Sequence, residues 1–299
     1  MTIAMLQEYA IIIVRGVGLG AIYALVAMSF NIVKSSSGVL NFAQGNLLVL
    51  GGMGAYVASN MVADQTALEW WLTLPVVAAA IAALLTVQGF FTLLPLKYDS
   101  GEQSWLITTM AVSIIISGAL LLAQGPSALD VHSIFPSVRM FGMRVPAPFL
   151  TSIALAVFWY AALAWFHSRT LPGLAISALW QDQVAARAAG LRVRRLQMIA
   201  FAISGLIVGS AGYVAAPVIS LVADSGSKYV LNGFVALVIG GVGSNRGALI
   251  AGPLVGVVAT LATFTLGGQF QGVVSMLLLV AILLLRPQGL FGDSSARQV

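Results

Sequence analysis

Hydrophobic residues along this chain come in long unbroken stretches, with the polar residues gathered between them. Reading between consecutive charged residues leaves eight charge-free runs: 16–33, 35–63, 70–96, 103–129, 145–168, 196–223, 229–245 and 247–285. A helix needs roughly 20 apolar residues to cross a hydrocarbon core of about 30 Å. The last run is long enough for two passes and has a soft centre at Gly267-Gly268-Gln269. Nine hydrophobic segments follow, of which 229–245 is the short one. A transmembrane barrel would instead show strands of roughly ten residues with alternating polarity. Lipid also requires every backbone group to be paired internally, which favours helices. The pattern predicts an all-α, polytopic transmembrane bundle. It has about eight spanning helices plus a short broken or re-entrant segment, in one domain over 1–299. An outer loop is expected at about 124–147, with its prolines and no apolar run, and an inner loop at about 168–196.

Composition agrees. Of the 299 residues, 60% are hydrophobic and only 8% charged, against about 25% charged in an average soluble domain. Too little polar surface remains to cover a soluble fold. The net charge of +5 does not point to nucleic acid, because the basic residues fall at segment ends. Alternating the sides of the nine segments puts ten of them on one side: Lys34, Lys97, Arg169, Arg187, Arg192, Arg194, Arg195, Arg246, Arg286 and Arg297. Arg139, Arg144 and Lys228 fall on the other. That bias places 168–196 and the C-terminus in the cytoplasm and the N-terminus outside. Arg15, inside the first segment, is expected to reach to the interface.

Three features carry candidate chemistry. Asn41, Gln44 and Asn46 crowd amides at the mouth of an apolar run, where each is costly unless hydrogen-bonded. They read equally as a helix cap with interhelical bonds or as the polar lining of a path. Gly240, Gly241 and Gly243 break the seventh segment, and breaks within a hydrophobic span survive only in buried or water-lined places. They are no dinucleotide fingerprint, since Arg246 stands where the third glycine is required. The stretch after Pro172 reads as one short helix, at about 173–189, closed by Gly190. Glycine pairs four apart, Gly16 with Gly20, Gly205 with Gly209 and Gly252 with Gly256, suit close helix packing. Cysteine is absent, and so are a phosphate loop, HExxH and GxSxG. No catalytic residue, metal site or cofactor is expected.

Three stretches together resemble one family, the LivH-type inner-membrane permeases of branched-chain amino acid ABC importers. They are Gly20-Ala21-Ile22-Tyr23-Ala24-Leu25 with Leu40-Asn41-Phe42-Ala43-Gln44-Gly45; Ala185-Ala186-Arg187-Ala188-Ala189-Gly190-Leu191 with Ala200-Phe201-Ala202-Ile203-Ser204-Gly205; and Gly240-Gly241-Val242-Gly243-Ser244 with Arg286-Pro287-Gln288-Gly289-Leu290-Phe291-Gly292. Two positions depart from that pattern, which usually has His at Gln44 and Arg at Ser177. The resemblance implies a multi-pass subunit of a bacterial inner membrane, moving a branched-chain amino acid or a related small polar solute by ATP-driven alternating access. It implies a second homologous permease, two cytoplasmic ATP-binding subunits and a periplasmic binding protein as partners. Asp182, Ala186, Arg187 and Gly190 would shape the ATPase contact, and Asn41, Gln44, Asn46, Gly240, Gly241 and Gly243 the pathway. The competing expectation is a passive channel or secondary transporter, against which the lack of acids within the spans weighs.

Overall fold

The computed structural model describes residues 3–61, 67–93, 104–133, 136–140 and 143–292. Lys97 and Arg297, two of the expected inner charges, lie outside them. The described elements are α1 (Ile3–Ser37), α2 (Gln44–Met61), α3 (Ala67–Leu93), α4 (Ser104–Gln124), β1 (Val138–Met140), β2 (Met143–Val145), α5 (Ala147–Arg169), α6 (Leu171–Gln181), α7 (Gln183–Ala188), α8 (Val193–Ala215), α9 (Gly226–Gly240), α10 (Asn245–Leu266) and α11 (Gln271–Leu285). The nine hydrophobic segments correspond to α1–α5 and α8–α11, with the break at Gly267 dividing α10 from α11 as expected.

Among the described residues, seven helices are long and apolar enough to cross a membrane: α1, α3, α4, α5, α8, α10 and the stretch Gly268–Leu285. The other two, α2 and α9, are the informative ones. The amides at the start of α2 lower its apolar character, and α9 has only 15 residues, about 22 Å at 1.5 Å per residue.

The fold is built round α1, whose side chains from Ala21 to Phe30 are all buried. Helices α10, α8, α9 and α5 enclose it. Glycines let the closest pair approach. Gly16 and Gly20 of α1 meet Gly252 and Gly256 of α10 backbone to backbone, and a methyl group on Gly16 would lie 2.7 Å from the Val257 Cα. Gly205 and Gly209 of α8 do the same against Ala82 and Ala78 of α3. In lipid, where apolar burial between helices gains little, this intimate van der Waals packing holds helices together. The opposite faces of α3, α4, α5 and α11 carry exposed Val76, Ile114, Trp165 and Leu284, as a lipid-facing surface should. Arg15 is exposed rather than turned inward.

Charges separate to the two ends. The α6–α7 segment, Arg246 and the tail 286–292 share one end. The loop after α4, including the small β1–β2 hairpin, occupies the other. It is tied to the loop after α8 by the Leu129 amide donating to the Leu221 carbonyl, 3.2 Å. Lys228 is the exception. Counting charge-free runs places it in an outer loop, but it sits in the first turn of α9, where Gly226 is buried and Lys228 itself is exposed.

Candidate functional site

The site is built by two helices that start inside the bundle. After Ser37 the chain turns back, and residues 38–43 are not helical. Asn41 therefore lies before the helix rather than on one face with Gln44. Its Oδ1 accepts the Ala43 amide at 3.1 Å, and its carbonyl accepts the Gln44 amide at 3.3 Å. Its side chain also exchanges two bonds with Gln88 of α3, 2.8 and 3.3 Å. Gln44 Nε2 donates to the Ser29 carbonyl, 3.2 Å, and to Ser204 Oγ, 2.9 Å, while its Oε1 accepts Ser29 Oγ at 3.1 Å. Asn46 Nδ2 donates to the Ser113 carbonyl at 2.6 Å, and to Ser113 Oγ and Ser117 Oγ at 2.7 and 3.0 Å. Asn46 Oδ1 has no partner, although the residue is buried.

These partners fix the depth. Ser204 is the twelfth of the 23 residues of α8, and Ser113 the tenth of the 21 of α4. The start of α2 is therefore level with the middle of two spanning helices. The first residue of α9, Gly226, fits against Gly45 and Asn46 with no room for a side chain on either glycine. From this junction α2 runs towards the outer end and α9 towards the basic end. Two helix N-termini thus meet at mid-depth, where irregular backbone persists only if protein or water surrounds it. Sequence reading located the amides but not this junction. Apart from the local turn bonds of Asn41 to Ala43 and Gln44, their partners lie 15 or more residues away, so no local spacing announces them.

The glycine break is not in mid-span. Gly240 closes α9 against Gly247 of α10, and Gly241 and Gly243 form the turn between the two helices with φ of 95° and 92°. It lies at the basic end. The tail clasps it, with the Leu290 and Phe291 amides donating to the Ile239 and Gly240 carbonyls. Asn31 of α1 holds it from inside, its Oδ1 accepting the Gly243 amide at 2.7 Å and its Nδ2 reaching Asn245 Oδ1 at 3.2 Å. Trp180 of α6 covers Gly243. The expectation of a break in hydrophobic territory is corrected: the glycines form the connection between α9 and α10 at the basic end, where Gly241 is buried under the tail and Val242 and Gly243 are exposed.

The inner loop is two helices, not one. Thr170 Oγ1 caps α6 by accepting the Gly173 amide at 3.1 Å. Asp182 then ends α6 and starts α7, its Oδ1 accepting the Val184 and Ala185 amides at 2.8 and 2.9 Å. An acidic N-cap amid alanines is a start signal, and the sequence carried it at Asp182. Helix α7 ends as expected on Gly190, φ 82°. The Gly190 amide bonds to the Arg187 carbonyl and the Leu191 amide to the Ala186 carbonyl, 3.0 and 3.2 Å, which is the paired closure of a glycine-capped helix. Ala186 is the buried residue of α7; Asp182, Arg187 and Gly190 are exposed. So are Leu171, Leu174 and Val184, giving the α6–α7 segment an apolar outer face on the charged end of the molecule.

Comparison with known proteins agrees with this architecture. A family model for the branched-chain amino acid transport system permease component matches residues 12–284. The chain is 26% identical over 305 residues to the high-affinity branched-chain amino acid transport system permease protein BraD of Pseudomonas aeruginosa, covering 96% of this chain and 97% of that one. It is 27% identical to the corresponding LivH protein of Salmonella typhimurium, covering 95% and 96%. It is also 24% identical to the LivM permease protein of Escherichia coli, over 90% of this chain and 67% of that one. With its multi-pass helical bundle and that match along most of its length, the chain belongs to the branched-chain amino acid transport permease family, as a transport subunit and not an enzyme.

Proposed function

We propose that the chain is a pathway-forming permease of an ATP-driven importer in a bacterial inner membrane, switching between outward and inward access. The observation that carries this is the exposed α6–α7 segment joined mechanically to a half-helix. Trp180 of α6 covers the turn at Gly243, that turn ends α9, and the other end of α9 meets Asn46 at mid-depth. A push on α6–α7 from an ATP-binding subunit would move α9 against α2. Broken helices meeting near the midplane are a recurring way to build transport sites. On this reading Asn46 and the α2–α9 junction line the path. Asn41 and Gln44 brace it from behind, and Gly240, Gly241 and Gly243 are its joint.

Asp182, Ala186, Arg187 and Gly190 shape the docking face for one of two ATP-binding subunits. A second permease completes the pathway, since a homologous LivM protein exists among the relatives, and a periplasmic binding protein delivers the solute. The structure of α7 gives the test. The tagged chain should copurify with its ATP-binding partner, and Arg187→Glu or Gly190→Trp should reduce that recovery by tenfold or more. Unchanged recovery with both variants would overturn the docking assignment.

A further inference from the structure

At the basic end a cavity of about 570 Å³ opens between the ends of α1 and α3, helix α7 and the first turns of α8. Its walls include Ser37, Leu93, Arg187, Arg194 and Gln197. Arginines at a membrane surface are ordinary, but three features set this place apart. Gln197 is 8% exposed and makes no hydrogen bond among the described residues. It stands one turn further along α8 than Arg194, on the same face. Its amide is therefore held away from bulk water and bare towards the cavity, which is costly unless something there pairs with it. The Arg194 guanidinium carbon lies 4.5 Å from the centroid of the Phe90 ring, which holds the cation over the end of α3. Neither Arg187 nor Arg194 has an ion-pair partner among the described residues. Phe90 is exposed, and Leu84, Val87 and Phe91 continue its outward face along α3. One place thus joins two unpaired cations, a buried bare amide and an apolar strip that faces lipid.

We propose that this cavity holds the phosphate of an anionic phospholipid, with an acyl chain laid along Leu84, Val87 and Phe91. Guanidinium groups match phosphate oxygens in geometry as well as charge, and basic pockets between spanning helices suit anionic headgroups. No side chain caps the N-terminus of α8, so its free amides add to the attraction for an anion. Gln197 takes a headgroup or glycerol oxygen through Nε2. Free phosphate shares the anion chemistry but leaves the apolar strip unused, and the strip selects the lipid. A zwitterionic lipid brings its own cation, which Arg187 and Arg194 repel. The site rests on the bundle and its charges, not on the import reading. It has a consequence for that reading, because a lipid bridging Arg187 and Arg194 ties the short α7 to α8 and α3 and steadies the face it offers to an ATP-binding subunit.

Native mass spectrometry of the full chain, alone and in its assembled transporter, reads the site. The protein is delipidated in detergent and given equal amounts of phosphatidylglycerol and phosphatidylethanolamine. One phosphatidylglycerol per copy of this chain should be retained, at least fivefold over phosphatidylethanolamine. Arg194→Gln and, separately, Gln197→Leu should each reduce that adduct at least threefold. Arg169→Gln, which removes an exposed charge at the end of α5, should leave it unchanged. Two variants on one wall keep the test standing if either fails to assemble. Equal retention of the two lipids, or an equal loss with Arg169→Gln, would show general attraction of charge and overturn the site. Millimolar inorganic phosphate should leave the adduct in place, and complete displacement would assign the cavity to a free anion instead. An adduct on the isolated chain that vanishes in the complex would show that a partner subunit fills the cavity, which would also overturn it.

Discussion

Asn41 and Gln88 exchange both of their amide bonds inside the bundle, so neither can lose the other cheaply. Asn41→Leu leaves the Gln88 amide buried and bare, at a cost of about 1–3 kcal/mol. Replacing both by leucine should recover much of that loss. Thermal unfolding in detergent of the two single variants and the double one reads this directly, and a double variant as unstable as the sum of the singles would contradict it. Sequence showed that these amides are expensive, but not who satisfies them, because Gln88, Ser204 and Ser113 come from other helices. Charge spacing along the chain assigns Lys228 to an outer loop because it treats every charge as a span boundary, whereas this one stands in the first turn of α9, whose first residue packs on Asn46.

At the scale of elements, the α6–α7 segment depends on its caps. Helix α7 has six residues, too few to be helical alone. Asp182 satisfies two of its free amides, and Gly190 supplies a left-handed residue that alanine adopts only at about 1–2 kcal/mol. Asp182→Ala should cost α7 about 1 kcal/mol. Both Asp182→Ala and Gly190→Ala are expected to weaken ATPase recovery severalfold while leaving the melting temperature of the bundle unchanged. A matching fall in melting temperature would mean that α7 supports the core instead. The glycine pairs are legible in the sequence itself, since spacing of four is a helical period, but which helix each pair meets is not. Gly252→Leu should force α1 and α10 apart and destroy the monodisperse peak in size-exclusion chromatography. Gly118→Ala meets nothing within 4 Å and should leave that peak intact.

For the whole molecule, the sparse charges determined most of what was readable. They delimit the nine hydrophobic segments and gather the basic residues at the α6–α7 end. Among the described residues, length and apolar character then mark seven helices as able to span a membrane. What these patterns miss is that α2 and α9 each cover only part of the thickness and meet at their N-termini, because an apolar run does not show where in the membrane its helix begins. On the proposed function, that junction and its link through α9 to α6 are where a push on the α6–α7 segment would reach the path. The central claim is tested most directly by uptake of radiolabelled leucine into proteoliposomes holding the complete transporter and its binding protein. Uptake should require ATP on the side of α6–α7, proceed against a leucine gradient, and stop when ATP is withheld. Uptake that continues at the same rate without ATP, and only down the gradient, would contradict the account.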